Sequence, residues 1–539
     1  MNRRTFLKSA AGAAVAGPAA LGTSSAAAAT TNPLAELKYR FLVPELFRAL
    51  PDAPSYTPVV IIGSGFGGAV AAWRLAQAGV KSTVLERGSR WPAANAWRGI
   101  YSPDSGADGR AFWRQTTPFT GVTGDKVSTD YFGGVLDVTK FEGIDVWRAA
   151  AVGGGSVVYT GAHPIPEQGH FQHLFGGTVD YADMLTRWYP RAAGVLGSST
   201  MPDDIYNSGP YSHSRMWDAM VKRAGFSSQL LPSVWDWNIM RREMSFGARQ
   251  SATVSESNYG NSNGVKRGLT TNYLAYAEAT GLSTIYSGHE VVEIGRDGSG
   301  RYLVRVQKVA VTGQVLSTRV ISCDRLILSA GSIGTTELLM RARQRGTLPN
   351  LDDQIGKGWG GNGDSTTAWW FNPTGGVTQG AAPRSLIKTT VEGLPLTLEN
   401  WFVPGFALDM GVIGSLAMTL DDTRADFGIS PQGNLTLKWP GQPSTTAAVK
   451  AINAKIAATS RGAGGGALST GSSEFFTAHP LGGAVLGKAT DNYGRVNGHP
   501  GLYVMDGALL PGNAGAVNPA ITITALAERN IAELIARGG

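Results

Sequence analysis

A single cysteine, Cys323, occurs in 539 residues, so no disulfide can form within the chain and no thiolate pair can hold a structural zinc. Charge is also sparse: 16% of residues are Asp, Glu, Lys or Arg, against about a quarter in an average soluble chain, which excludes a disordered polyelectrolyte. No long apolar run is clean enough to span a bilayer. The nearest candidate, WFVPGFALDMGVIGSLAMTL (401–420), contains Pro404, Asp409 and three glycines and reads as buried strands. No repeat of solenoid period is present. What abounds is glycine, 72 residues in a chain that is 42% hydrophobic. Together with the length, this predicts a large globular core, several domain-sized units and many tight turns.

The first residues, MNRRTFLKSAAGAAVAGPAALGTSSAAAAT, pair Arg3 with Arg4 ahead of a weakly apolar Ala/Gly run and small residues suited to cleavage. That pattern reads as a twin-arginine export signal over 1–29, implying secretion by the twin-arginine machinery. This route carries folded cargo, as a protein loading a tight cofactor in the cytoplasm would require. Arg3, Arg4 and Lys8 supply three of the formal +7 charges and no acid precedes Glu36, leaving a mature balance of +4. That is too mild to imply nucleic-acid binding.

The stretch PVVIIGSGFGGAVAAWRLAQAGVKSTVLE (58–86) begins as a β-branched buried strand and turns at Gly63-x-Gly65-x-x-Gly68 into an Ala-rich helix. Gly63 permits the tight turn, Gly65 lets backbone approach a pyrophosphate, and Gly68 lets helix pack on strand, with the helix N-terminus facing the phosphates. A second strand ends in Glu86, placed to hold ribose hydroxyls. This unit alone does not separate NAD from FAD. Near the C-terminus, YVMDGALLPGNAGAVNPAITITALAERNIAEL (503–534) reads as strand, acid, Gly/Asn-rich loop and final helix. Asn518 stands where an N-cap belongs and Pro519 at the first helical position. The positive end of that helix could stabilise negative charge on a reduced flavin ring.

GSGFGGAVAA, AVGGGSVV (151–158), LILSAGSIGTTELLMRAR (326–343), HPLGGAVLGKATDNYGRVNGHPGLYVMDGALLPG and VNPAITITALAERN together resemble the glucose-methanol-choline (GMC) oxidoreductase family, and within it the bacterial cholesterol oxidases with non-covalent FAD. The resemblance runs from about Val59 to the C-terminus. It implies an α/β fold: a Rossmann-like FAD-binding domain built from 55–100, 267–357 and 470–539. An α+β substrate domain with a large, mostly antiparallel sheet would be inserted as 101–266 and 358–469. The residues agree, since VISCDRLILSAGS reads as another buried strand, while 365–440 alternates apolar residues with many Trp, Phe and Thr. The segment SRGAGGGALSTGSS (460–473) reads as a connection. The cofactor contacts expected from motif and resemblance are Gly63, Gly65, Gly67, Gly68, Glu86, Gly153, Gly154, Gly155, Ser156, Tyr159, Val291, Asp506, Gly507, Asn518 and Pro519.

His479, in HPLGG, admits three roles. A metal needs convergent ligands, and the seven histidines show no HxH or HxxxH spacing near 479. A lone core histidine would merely satisfy a hydrogen bond. Beside the flavin motifs the third role leads: alcohol oxidation takes a hydride from carbon and a proton from oxygen, and a group of near-neutral pKa must meet that hydroxyl. Pro480, Gly482 and Gly483 would thin the backbone so that the imidazole sits against a planar ring. In the family this histidine is paired with His or Asn from the C-terminal segment, here Asn518. The resemblance also implies a substrate-domain glutamate that moves a proton when a steroid double bond migrates. Glu399 in LTLENWFVPG is the expected match, with Asn400 one residue away as the alternative.

Two departures bear on specificity. Tyr159-Thr160-Gly161-Ala162 stands where these oxidases have Asn-Gly-Gly-Met beside the flavin, and Ala484 replaces the Cys of HPLGGC. The expected substrate is a small apolar, sterol-like alcohol, with O2 as electron acceptor, H2O2 as product and transient contact with a membrane surface. The alternatives are an oxidase or dehydrogenase acting on another hydroxylated metabolite, and a flavin-loaded sterol-binding protein whose catalysis has lapsed. WFVPGFALDMGVIG and Trp369-Trp370-Phe371 fit a greasy pocket better than a sugar site, and fit ordinary core packing about equally well.

Overall fold

A computed structural model describes residues 30–92, 97–104, 106–115, 129–403, 408–460, 463–464 and 475–538. The twin-arginine segment lies outside them, as does most of 460–473. Among the described residues no helix is long and apolar enough to cross a membrane.

Strand β1 (Tyr56–Ile62), helix α1 (Phe66–Gln77) and strand β2 (Ser82–Leu85) form the expected βαβ start. Farther along, β3 (Leu136–Phe141) and β4 (Ile144–Ala149) form a hairpin, followed by β5 (Ser283–Tyr286), β6 (His289–Arg296), β7 (Tyr302–Val309) and the long β8 (Val315–Leu328). Helix α2 (Gly331–Gln344) comes next, then β9 (Ser365–Trp370), β10 (Ser385–Val391), β11 (Leu394–Trp401) and β12 (Ile413–Thr419). Strands β13 (Phe475–Thr477) and β14 (Leu502–Val504) and helix α3 (Ala520–Ala536) complete the parts that position the site.

The first sheet runs β5-β2-β1-β8-β7-β6, with β14 also on β8. Its strands β5, β2, β1, β8 and β14 are mutually parallel, and β6, β7 and the first part of β8 form an antiparallel meander. Parallel strands covered on both faces must be apolar throughout, and Val59, Val60, Ile61, Leu326, Ile327 and Leu328 are buried accordingly. The glycine-rich turn leaves the carboxyl end of β1, the edge of such a sheet where ligands bind.

The second sheet is wholly antiparallel, with β9-β12-β11-β10 at its centre. A third, β13-β4-β3, brings 475–477 beside 144–146 and so delivers the chain to His479. The expected architecture is present. The 401–420 stretch differs from its reading: Trp401 ends β11, Ile413 begins β12, and between them Leu408 and Met410 are exposed. Gly411, at φ +71°, suits a connection, not a strand.

Candidate active site

A cavity of about 470 Å³ runs from the β1–α1 turn to His479 and Asn518. At the turn end, a Cβ on Gly65 would meet no protein atom closer than Gly154 Cα at 4.0 Å, so the space it would enter belongs to the cavity. On Gly68 it would stand 2.1 Å from Gly63 O, the close helix–strand contact that this glycine allows. Helix α1 begins at Phe66 with no side chain capping it, so its amides face the cavity free to bind anionic oxygens. Glu86 accepts from the Ser64 amide and hydroxyl (3.1 and 2.7 Å) and from the Gly88 amide (2.9 Å). Two carboxylate oxygens offer about four lone-pair sites, so it retains capacity for a ribose hydroxyl. Val291 lines the same end, beside a bulge in β6.

Gly63, Gly67, Gly154, Gly155, Tyr159, Asp506, Gly507 and Pro519 also line the cavity. Gly68, Gly153 and Ser156 stand behind its wall: the Ser156 hydroxyl donates to Gly153 O (2.8 Å) and accepts from the Leu269 amide (3.0 Å). Asp506 is taken up by protein donors, the amides of Gly331 and Ala508 (2.9 and 2.8 Å) and the Thr335 hydroxyl (2.5 Å). Burial nevertheless outweighs them and pushes its carboxyl up to about 6. Burial also pushes the Tyr159 hydroxyl well above its ordinary range and draws His163 down to about 3. That neighbouring pair, 3.5 Å apart, is therefore neutral.

At the other end the chain zips two glycine-rich segments together. Gly360 and Leu481 exchange backbone hydrogen bonds (2.9 and 3.1 Å), which sets Asp364 beside His479. His479 Nδ1 lies 2.8 Å from Asp364 Oδ1. The other carboxylate oxygen accepts from the Thr477 hydroxyl (2.9 Å) and the Ala478 amide (3.1 Å). A carboxylate only accepts, so Nδ1 carries the proton and Nε2 keeps its lone pair. Burial pulls the imidazole's basicity down, but the charge and hydrogen bond of Asp364, with the charge of Glu399, prevail and raise it above its ordinary value.

Gly482 and Gly483 have a different reason from the one expected. Their φ values are +94° and +100°, and a Cβ would stand 2.3 Å from Gly358 O and 2.1 Å from Thr336 Oγ1 respectively. They thin the chain against protein, not against a cofactor.

Asn518 is likewise corrected. Helix α3 starts at Ala520 with Pro519 already helical and no side-chain cap. The Asn518 amide is turned away, its Nδ2 donating to Glu399 Oε1 at 3.4 Å. Asn362 fixes this arrangement, accepting from the Ala514 amide and donating to Val517 O (2.9 and 3.0 Å). The uncapped start of α3 borders the cavity through Pro519 and Ala520, the environment a ring gaining negative charge requires.

The strand register separates Glu399 from Asn400. Glu399 pairs across with Leu416 and shares a face of β11 with Trp401, and both of those residues line the cavity. Asn400 points to the opposite face, where it accepts from the Ser214 hydroxyl at 2.7 Å. Glu399 stands behind Asn518, fully buried, with Oε2 lacking a partner among the described residues. Burial pushes it up to about 7, against the lowering effects of the Asn518 hydrogen bond and the His479 charge. His479, Asn518 and Glu399 thus converge, and Asp364 joins them unannounced.

Leu136, Trp147, Trp401, Leu416 and Phe476 are part of the cavity's apolar lining. That lining does not include the expected Trp369-Trp370-Phe371 cluster. Trp369 is buried in a separate core with Ile387 and Ile452, and Phe371 is 79% exposed.

Residues 444–527 match the GMC oxidoreductase family model, and residues 61–97 match the NAD(P)-binding Rossmann-like domain. The chain is 27% identical to a cholesterol oxidase of Mycobacterium tuberculosis (strain CDC 1551 / Oshkosh), the alignment covering 88% of this chain and 90% of the relative. It is also 27% identical to a cholesterol oxidase of Acinetobacter baumannii, over 89% of this chain and 94% of that one. Among solved structures it is similar to pyridoxine 4-oxidase from Mesorbium loti, with TM-score 0.60 and 14% identity over 89% of this chain and 99% of that one. A fungal aryl-alcohol oxidase gives TM-score 0.58 and 13% identity over 90% and 100%. These two likenesses speak for the fold.

Proposed function

We propose that this chain, an FAD-dependent alcohol oxidoreductase of the GMC type, oxidises the 3β-hydroxyl of cholesterol or a similar sterol to the ketone, with O2 reduced to H2O2. The observation that carries this reading is the meeting of His479, held by Asp364, with the Asn518–Glu399 pair at the end of a cavity walled by Trp147, Trp401, Leu416 and Phe476. The cholesterol oxidase relatives support the choice of a sterol.

FAD, held without a covalent link, would supply the acceptor for the hydride that leaves the carbinol carbon. Its ADP end would lie along the Gly65 turn and Glu86, and its ring toward α3. His479 Nε2 accepts the hydroxyl proton, and Asp364 fixes the ring and stabilises the imidazolium that results. Asn518 contributes an amide at the same end of the cavity. In a sterol with a neighbouring ring double bond, Glu399 moves a proton from one carbon to another, because a buried carboxyl poised at about 7 can both take and give one at neutral pH. The indole and phenyl side chains at this end favour an apolar alcohol over a sugar.

Anaerobic mixing tests the substrate. A sterol should bleach the flavin within a turnover, while glucose and choline should not. Bleaching by other alcohols alone would point to a different metabolite, and binding without bleaching to a lapsed enzyme. Admitting oxygen should restore the colour and release H2O2, and a failure to do so would mark a dehydrogenase.

Export is proposed from Arg3-Arg4 alone. Replacing both with lysine should hold the protein in the cytoplasm with its flavin bound, as cell fractionation would read. Unchanged secretion would rule out the twin-arginine route.

A further inference from the structure

Residues 251–266, SATVSESNYGNSNGVK, form a loop that is almost wholly buried although most of its side chains are polar. Two carboxylates, Glu243 from the helix before it and Glu256 within it, accept from several of its donors. Glu243 accepts from the amides of Ser251 and Thr253 and from the Thr253 hydroxyl, and Glu256 from the amide and hydroxyl of Ser262. At its end stands Lys266, 6% exposed. Its Nζ donates to three neutral oxygens: Tyr159 O at 2.6 Å, Ser257 O at 2.9 Å and Ser257 Oγ at 3.4 Å. The two acids near it, Asp104 and Glu256, act through space; Asp104, which accepts from the Ser257 amide at 3.1 Å, is itself pushed up to about 8 by burial, so it is a weak counter-charge at neutral pH.

A buried ammonium surrounded by neutral acceptors is costly to keep, and burial draws Lys266 down to about 7 against the pull of those two acids. A methionine would fill the same space without charge. The two stretches that Lys266 ties together both reach the cavity, one through Tyr159 itself and the other through Asn258, next to Ser257. The charge therefore lies one peptide group behind the wall of a cavity that must hold FAD, a group that becomes more electron-rich on reduction.

The geometry points to Lys266 as an internal cation for the bound flavin: its ammonium holds the carbonyls of Tyr159 and Ser257 in place, and its charge favours the reduced over the oxidised cofactor. It is a positioning residue, acting across the wall and not by contact. This rests on FAD occupying the cavity, and it holds whichever alcohol is the substrate.

Three variants separate charge from brace. Lys266→Met removes both, Lys266→Gln keeps an N–H donor without the charge, and Lys266→Arg keeps the charge. Each holoenzyme is titrated anaerobically against a dye of known potential, with thermal midpoint and FAD dissociation measured alongside. Lys266→Gln and Lys266→Met should make reduction roughly tenfold less favourable, about 30 mV for a two-electron couple. Lys266→Arg should stay close to the unmodified enzyme. If the Met variant does not fold, the Gln variant carries the comparison. A Gln variant with unaltered potential overturns the inference even if its thermal midpoint falls or its FAD leaves faster, because Lys266 would then be a brace alone. An unmodified enzyme that takes up no FAD overturns the cofactor assignment, and the inference with it.

Discussion

Replacing His479 with alanine should lower kcat/KM for the alcohol by roughly 10²–10⁴-fold, the range of a positioned acid–base group, while the purified protein stays yellow. The protein should stay yellow because, in the proposed mode of binding, the glycine turn, Glu86 and the start of α3 would hold the cofactor without the imidazole. The loss follows from the Asp364 contact at 2.8 Å: with Nδ1 committed to a carboxylate, Nε2 is the ring nitrogen left for the substrate hydroxyl. Steady-state kinetics with the bleaching alcohol, corrected for bound flavin, gives the measurement. Unchanged turnover would remove His479 from the chemistry.

Asp364→Asn should fall between the unmodified enzyme and His479→Ala, and it should also move the pH profile. Asp364 is the principal group raising the imidazole above its ordinary value. Activity needs the neutral ring, so it rises as pH passes through that elevated value. Removing the carboxylate should shift the acidic limb to lower pH, while an amide, able to present either its N–H or its C=O to Nδ1, no longer enforces one tautomer. The stability contribution has the matching sign. A histidine whose folded pKa is raised contributes stability present below its ordinary value and lost as pH climbs through the folded one.

The parts of this site that were legible in the sequence are those where one local pattern has one physical cause. The β1–α1 turn was readable because a strand, three spaced glycines, a helix and Glu86 make sense together only around a phosphate-bearing ligand. His479 and Glu399 were readable through resemblance to a family. Asp364 was not, since it meets His479 from 115 positions earlier in the chain, and its only local mark is a carboxylate closing the Gly361-Asn362-Gly363 turn before β9. Asn518 is the opposite case: an Asn before a Pro before a helix is a good cap by propensity, but the helix starts at Ala520 with Pro519 in the cap position, which leaves the Asn518 Nδ2 to the buried Glu399. Gly482 and Gly483 were correctly marked as positions without room, although the neighbour that fills the room is Gly358 and Thr336. Trp369 and Phe371 are two positions apart and would share a face of one strand, but β9 ends at Trp370: Trp369 packs into a separate core, while Phe371, past the strand end at φ +61°, is left in solvent.

Glu399→Gln should separate two proton transfers that a single cavity would perform. On a sterol with a ring double bond, alcohol oxidation requires His479 and should persist within about tenfold, whereas migration of the double bond requires a carboxyl that exchanges a proton and should fall by roughly 10²–10⁴-fold. The glutamine matches the glutamate in size and can still pair with Asn518, so packing is retained. The unconjugated ketone should accumulate, and its slow conversion is followed by the absorbance of the conjugated enone. Stability supplies an independent reading. Burial raises Glu399 from 4.5 to about 7, so the folded state holds its proton over a range where the unfolded chain has lost it. Unlike a carboxyl with a depressed pKa, this one costs stability as pH rises from 4.5 to about 7, on the order of 3 kcal/mol once above both values. Denaturant unfolding of the glutamine holoenzyme should lack that decline and leave the variant more stable than the unmodified enzyme at pH 8. A glutamine variant that forms the conjugated ketone at the unmodified rate would remove Glu399 from the reaction, and one with the unmodified pH dependence of stability would show that the carboxyl is not held protonated in the fold.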